Sequence, residues 1–79
     1  MDIKILGSGC EKCSKTYKLA KEVVGEMGIN ANVEKVEDLK EILKYGVMKT
    51  PGLVIDDEVK SSGKTFSKKE LKNIIEKNK

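Results

Sequence analysis

Ile3-Lys4-Ile5-Leu6-Gly7-Ser8-Gly9-Cys10-Glu11-Lys12-Cys13 passes from a short apolar run, through a glycine turn, into two cysteines three positions apart. The run Ile3 to Leu6 has the length and β-branched content of a buried strand. Gly7-Ser8-Gly9 stops it. Beyond the turn, Cys13, Tyr17, Ala20, Val24 and Met27 recur at helical spacing, with Leu19 and Val23 widening the stripe. This predicts a helix over Cys10 to Met27. Ser8 and Glu11 have the S-x-x-E spacing of a capping box at its start, and Gly28 is a natural C-cap. A helix brings residues i and i+3 to one face, so the sulfurs of Cys10 and Cys13 can approach disulfide distance.

The rest of the chain extends the pattern. Asn30 to Val36 predicts a second strand from the alternation of Ala31 and Val33, with Val36 following. Asp38 caps a short helix, with Glu41 three residues on and Leu39, Ile42 and Leu43 facing inward, and Gly46 ends it. Val47-Met48-Lys49-Thr50 leads to Pro51, and Leu53 to Ile55 makes a third strand. Asp56-Asp57 is a tight turn, Val59 marks a fourth strand, and Gly63 closes it. Ser67-Lys68-Lys69-Glu70 is a second capping box. It opens a last helix whose inward residues are Leu71, Ile74 and Ile75. The order is β-α-β-α-β-β-α. Helical connections predict that the first three strands run parallel and that the last two form an antiparallel hairpin. Helices then cover both faces of one four-stranded sheet, an α/β fold of minimal size.

Composition narrows the function. The chain has 79 residues, the size of one domain, 1–79. Such a chain buries only about 60% of its unfolded surface, so its core is compact. Its net charge is +3, yet every one of the 16 basic residues is lysine. Arginine, which makes bidentate contacts with phosphates and bases, is absent. The acidic residues are interspersed with the lysines, the pattern of a solvated surface. Nucleic acid is therefore not an expected partner, and the lysine cluster from Lys64 to Lys79 has the same explanation. Histidine is absent too, which removes the commonest general base and metal ligand. No apolar run approaches the ~20 residues of a membrane span. Met1-Asp2 lacks the basic region of a signal peptide. A monomer in the cytoplasm, with no membrane association, is the expectation. Two cysteines are too few for a disulfide-stapled secreted scaffold.

In a reducing cytosol, C-x-x-C beside a β-α-β pattern points to redox or metal chemistry. With Ser8 as the cap, Cys10 falls in the first helical turn. Unpaired N–H groups and the positive end of the helix dipole there favour the thiolate, which is the nucleophile. Lys12 and Lys15 assist and Glu11 opposes. Cys13 lies one turn deeper on the apolar stripe, where burial raises a thiol pKa. The asymmetry assigns attack on a substrate disulfide to Cys10 and resolution of the mixed disulfide to Cys13. Two other uses stand beside this one. Two thiolates can hold Cu(I) linearly, although domains of that kind run β-α-β-β-α-β. A dithiol can also regulate a binding surface without turnover. A pair of inert core cysteines is the bland alternative. Pro51 has two readings as well, a cis X-Pro bond or a trans proline at the first residue of a strand.

Taken together, Gly7-Ser8-Gly9-Cys10-Glu11-Lys12-Cys13, Val47-Met48-Lys49-Thr50-Pro51-Gly52, Gly63 and the element order resemble the thioredoxin/glutaredoxin fold over essentially the whole chain. The closer resemblance is to the small thioredoxin-like proteins called redox-active disulfide protein 2. It implies that Cys10 is the nucleophile and Cys13 the resolving thiol. It also implies that Pro51 is a cis-proline beside the disulfide, and that Thr50 offers its backbone to an extended substrate strand. Gly63 matches a glycine that lets a partner approach closely. Glu11-Lys12 is neither the Gly-Pro of thioredoxins nor the Pro-Tyr of many glutaredoxins, and these positions tune the redox potential. No tryptophan precedes the motif. Lys4 stands near where thioredoxins place a buried acid. Ser61-Ser62-Gly63-Lys64-Thr65 replaces the Gly-Gly and acidic residues of a glutathione site, which favours protein disulfides as substrates. Gly7-Ser8-Gly9 lacks the third glycine of a dinucleotide fingerprint. No cofactor beyond the Cys10–Cys13 disulfide is expected, and a separate disulfide reductase must supply electrons.

Overall fold

Ile3 and Ile5 point to one side of the first strand, and Lys4 and Leu6 to the other. That alternation divides the protein into two cores. The structure is a computed structural model and describes residues 1–7 and 11–78. Its elements are β1 (Asp2–Leu6), α1 (Glu11–Met27), β2 (Asn32–Val36), α2 (Leu39–Lys44), β3 (Gly52–Ile55), β4 (Glu58–Ser62) and α3 (Lys68–Lys77). They form a mixed sheet of order β2-β1-β3-β4, flanked by helices. Ile3 and Ile5 join Leu53, Ile55, Ala20, Val23, Leu71 and Ile75 in the larger core, which puts α1 and α3 on one face. Leu6 joins Val54, Ile42 and Val47 in the smaller core, which puts α2 on the other.

The expected parallel run of three strands does not hold. β1 pairs with β2 in parallel, but β3 runs antiparallel to β1, with Leu6 opposite Gly52 and Ile3 opposite Ile55. The connection through α2 brings the chain back to the end of the sheet where β2 finishes, so β3 starts beside Leu6 and runs back against β1.

Local sequence accounts for the element ends. Asp38 accepts a hydrogen bond from the Lys40 backbone N–H at 2.9 Å, capping α2. Ser67 and Glu70 form the expected reciprocal capping box at α3. The proposed Ser8–Glu11 box lies outside the described residues. Asp56 and Asp57 both have positive φ, 49° and 66°, as a two-residue primed hairpin turn requires. A register shift between Leu53 and Val54 places a bulge in the β3–β4 ladder.

Two packing expectations change. Leu39 and Leu43 do not face inward; they are exposed, and Ile42 alone of the three is buried. At 100° per residue, a short helix resting on Ile42 turns Leu39 about 60° and Leu43 about 100° away from that line. On α1 the fully buried line is Cys13, Thr16, Ala20 and Val23, while Tyr17, Val24 and Met27 flank it half-buried. Thr16 fits there because its hydroxyl donates to the Lys12 carbonyl at 2.8 Å, which removes the cost of burying a bare hydroxyl.

Candidate functional site

Gly7 follows β1 directly, and its N–H donates to the Val36 carbonyl at 2.9 Å. The parallel ladder with β2 thus continues one residue past the strand. Gly7 is buried, with Cys13 packed against it. A Cβ at position 7 would lie 2.6 Å from the Cys13 Cβ, and closer still to Sγ. The same Cβ would be 3.7 Å from the Thr50 Cβ. Gly7, Cys13 and Thr50 therefore converge at the end of the sheet where β1 finishes and β3 begins. This convergence depends on the antiparallel direction of β3. A parallel β3 would begin at the far end of β1 and separate Thr50 from the cysteine.

Cys13 is the third residue of α1 and has no exposed surface. Glu11 and Lys12, the residues between the cysteines, are exposed in the first turn. Cys10 lies outside the described residues. The start of α1 is tied to the sheet from the other side, where Lys35 of β2 donates to the Ser14 hydroxyl oxygen at 2.9 Å. Lys35 also pairs with Glu37 at 3.1 Å.

Thr50 is exposed, Pro51 is buried, and the peptide bond between them is cis. The Pro51 carbonyl accepts from the Gly63 N–H at 2.9 Å. Gly63 has φ +73°, and a Cβ there would sit 2.9 Å from the Lys49 Cβ. In this structure Gly63 receives the Lys49 side chain against its open face, so it braces the segment that carries Thr50 and Pro51. Next to it, Gly52 has Leu6 and Val47 close enough that an added Cβ would meet them at 3.1–3.3 Å.

Lys4 lies two residues before the end of β1 on the α2 side of the sheet. Its ammonium donates to the Tyr45 hydroxyl at 3.0 Å and stands 3.7 Å from an Asp57 carboxylate oxygen. The Tyr45 hydroxyl raises the Lys4 pKa above the ordinary lysine value, with the Tyr45 and Asp57 charges adding to the effect and partial burial opposing it. A lysine held by a phenol and a carboxylate thus occupies the α2 side of β1 at this position.

The structure brings Cys13, Thr50 and Pro51 to one end of the sheet and ties Gly63 to them through Pro51. Sequence reasoning named these residues but missed three others. Gly7 was legible as a turn residue, but its close approach to Cys13 depends on how α1 sits over β1. Lys49 becomes relevant only through Gly63, which is distant in sequence. Thr16 could have been found, since it lies three residues after Cys13 on the same helical face.

Comparison with known proteins agrees with this arrangement. A family model described as a thioredoxin domain matches residues 1–76. A thioredoxin of Methanothermobacter thermautotrophicus is 43% identical over 75 residues, covering 95% of this chain and 97% of that protein. A thioredoxin of Methanocaldococcus jannaschii is 44% identical over 78 residues, covering 94% of this chain and 90% of that protein. A probable thioredoxin of Archaeoglobus fulgidus is 42% identical over 52 residues, covering 62% of this chain and 57% of that protein. With the mixed sheet, three helices and Cys13 beside the Thr50-Pro51 junction, these matches show that the chain belongs to the thioredoxin family as a small thioredoxin-like thiol–disulfide oxidoreductase.

Proposed function

We propose that the protein reduces protein disulfides with the Cys10–Cys13 dithiol. The Cys10 thiolate attacks one sulfur of the substrate disulfide. A mixed disulfide forms and the first substrate thiolate leaves. The Cys13 thiolate then attacks the Cys10 sulfur and expels the second substrate thiolate. Two electrons pass to the substrate, and the chain is left with a Cys10–Cys13 disulfide. A separate disulfide reductase returns it to the dithiol, and no other cofactor enters the cycle. We place this exchange in the cytoplasm, with the protein acting as a monomer.

The observation that carries this reading is the packing of Cys13 against Gly7 within reach of Thr50. A buried thiol there meets few solutes, which suits a group whose task is to attack a sulfur held on its own helix. Thr50, exposed beside it, offers backbone groups to an extended substrate segment. Glu11 and Lys12, exposed between the cysteines, set the potential through their opposite charges. The described elements run β-α-β-α-β-β-α, with α2 standing between β2 and β3. That order departs from β-α-β-β-α-β and weighs against Cu(I) handling as the use of the thiolates.

Insulin-disulfide turnover with dithiothreitol as the reductant tests the proposal. Wild-type protein should exceed the Cys10→Ser/Cys13→Ser double variant by orders of magnitude. Equal rates would remove the redox reading.

A further inference from the structure

Leu19 of α1 and Phe66, in the loop leading to α3, pack against the larger core yet stay only half-buried. Both line a cavity of about 560 Å³ between that helix and that loop. Positions three and four apart share a helix face, so α1 sets Lys12, Lys15 and Glu22 around Leu19, with Lys18 beside them. The three lysines are exposed. Among the described residues Glu22 is the one carboxylate lining the cavity, and it is already engaged, 3.9 Å from the Lys68 ammonium. The salt bridges among the described residues use Lys4, Lys35, Lys44, Lys60 and Lys68, none of which lines the cavity. Two apolar side chains therefore stand beside three cations that no described carboxylate pairs with.

We propose that this cavity binds a small amphipathic anion, an aromatic or short acyl body bearing one carboxylate, sulfonate or phosphate group. Three observations choose this occupant. The volume lies within the roughly 300–1,000 Å³ of small-molecule sites, whereas an acidic protein surface needs on the order of 1,200–2,000 Å² of contact. Three lysines against one engaged carboxylate favour negative charge. Leu19 and Phe66 reward an apolar body, since covering apolar surface contributes about 25 cal/mol per Å², and a bare inorganic anion has none to offer. The cavity shares only Lys12 with the redox motif and uses neither thiol, so it stands or falls apart from the disulfide-reductase reading.

The test titrates the whole chain, labelled with nitrogen-15, and follows backbone amide shifts without any turnover. Three probes separate charge from body: naphthalene-2-sulfonate has both, methanesulfonate has the charge alone, and naphthalene-2-methanol has the body alone. Naphthalene-2-sulfonate should saturate, with shifts centred on Lys15, Leu19 and Phe66. Each of the other two should bind more weakly by roughly tenfold, equivalent to about 1.4 kcal/mol. Lys15→Glu/Lys18→Glu should weaken naphthalene-2-sulfonate by a similar factor. Both lysines are exposed, and the amide spectrum verifies that the variant is folded; Lys15→Gln and Lys18→Gln, made singly, give the same comparison if it is not. Failure of naphthalene-2-sulfonate to saturate would overturn the site, as would shifts centred on Leu39, Leu43 and Met48. Methanesulfonate binding as tightly as naphthalene-2-sulfonate would reduce it to ion pairing on the surface and overturn it. Equal binding of naphthalene-2-methanol, or affinity unchanged in the charge-reversed variant, would remove the lysines from recognition and overturn it too.

Discussion

Gly7 and Cys13 pack so closely that the space a side chain at position 7 would need is already taken by the cysteine. The relationship joins the end of β1 to the first turn of α1 and sets how deep the cysteine sits. An alanine at position 7 must displace Cys13 or shift the helix. Overpacking of this kind costs about 1–3 kcal/mol. Gly7→Ala should lower the denaturation midpoint by a corresponding amount and slow disulfide turnover. Urea melts and insulin turnover on the same preparation check both. Unchanged stability and rate would mean that α1 moves freely over β1.

The unequal positions of the two thiols predict unequal consequences of their removal. Cys10→Ser should abolish turnover. Cys13→Ser should retain the first attack but stall afterwards, holding the substrate as a stable mixed disulfide through Cys10. Intact-protein mass spectrometry after incubation with oxidised peptide should show the adduct in Cys13→Ser alone. An adduct in the Cys10 variant instead would reverse the roles.

Gly63 is placed to control the Thr50-Pro51 segment from a distance. Its φ of +73° is in the left-handed region, which costs a residue bearing a Cβ about 1–2 kcal/mol, and the Cβ would also press on Lys49. Gly63→Ala should therefore destabilise the protein by about that amount. By moving the segment that carries Thr50, it should raise KM for protein disulfides more than it lowers kcat. Steady-state kinetics separate the two, and a pure kcat effect would detach Gly63 from substrate alignment.

Lys4 gives a pH signature. Its pKa is raised in the folded protein, chiefly by the hydrogen bond to Tyr45. A raised lysine pKa means the folded state holds the proton more tightly, so the stabilisation is complete below the ordinary lysine value of 10.5 and is lost as pH rises through the folded value. Lys4→Met should be less sensitive than wild type to a change from pH 9 to strongly alkaline solution. Urea melts across that range test the difference. The partly exposed ammonium, at 27% side-chain accessibility, keeps the effect small.

Much of this architecture is written locally in the chain. Ser67 and Glu70 announce α3 because a capping box needs only four consecutive residues. Asp56-Asp57 announces its turn because two short polar side chains tolerate positive φ. What was not legible depends on geometry accumulated over longer stretches. The direction of β3 depends on which end of the sheet the connection through α2 reaches, which apolar periodicity does not encode. The same periodicity assigned Leu39 and Leu43 inward, because a pattern of apolar residues cannot say how narrow the contact line of a six-residue helix is. Cys13 and Thr50-Pro51 were recognisable as separate motifs, and the family resemblance set Pro51 beside the disulfide, whereas periodicity alone gave β3 a direction that would have kept Cys13 and Thr50 apart.

The complete enclosure of Cys13 also makes it a clock. A reagent that alkylates thiols can reach this sulfur only when the surrounding packing opens. At low reagent concentration the labelling rate multiplies the open population by the intrinsic chemistry. At high concentration it levels off at the opening rate itself, because each opening is then captured before it recloses. The plateau would measure how often the junction of β1, α1 and β3 comes apart, without any denaturant.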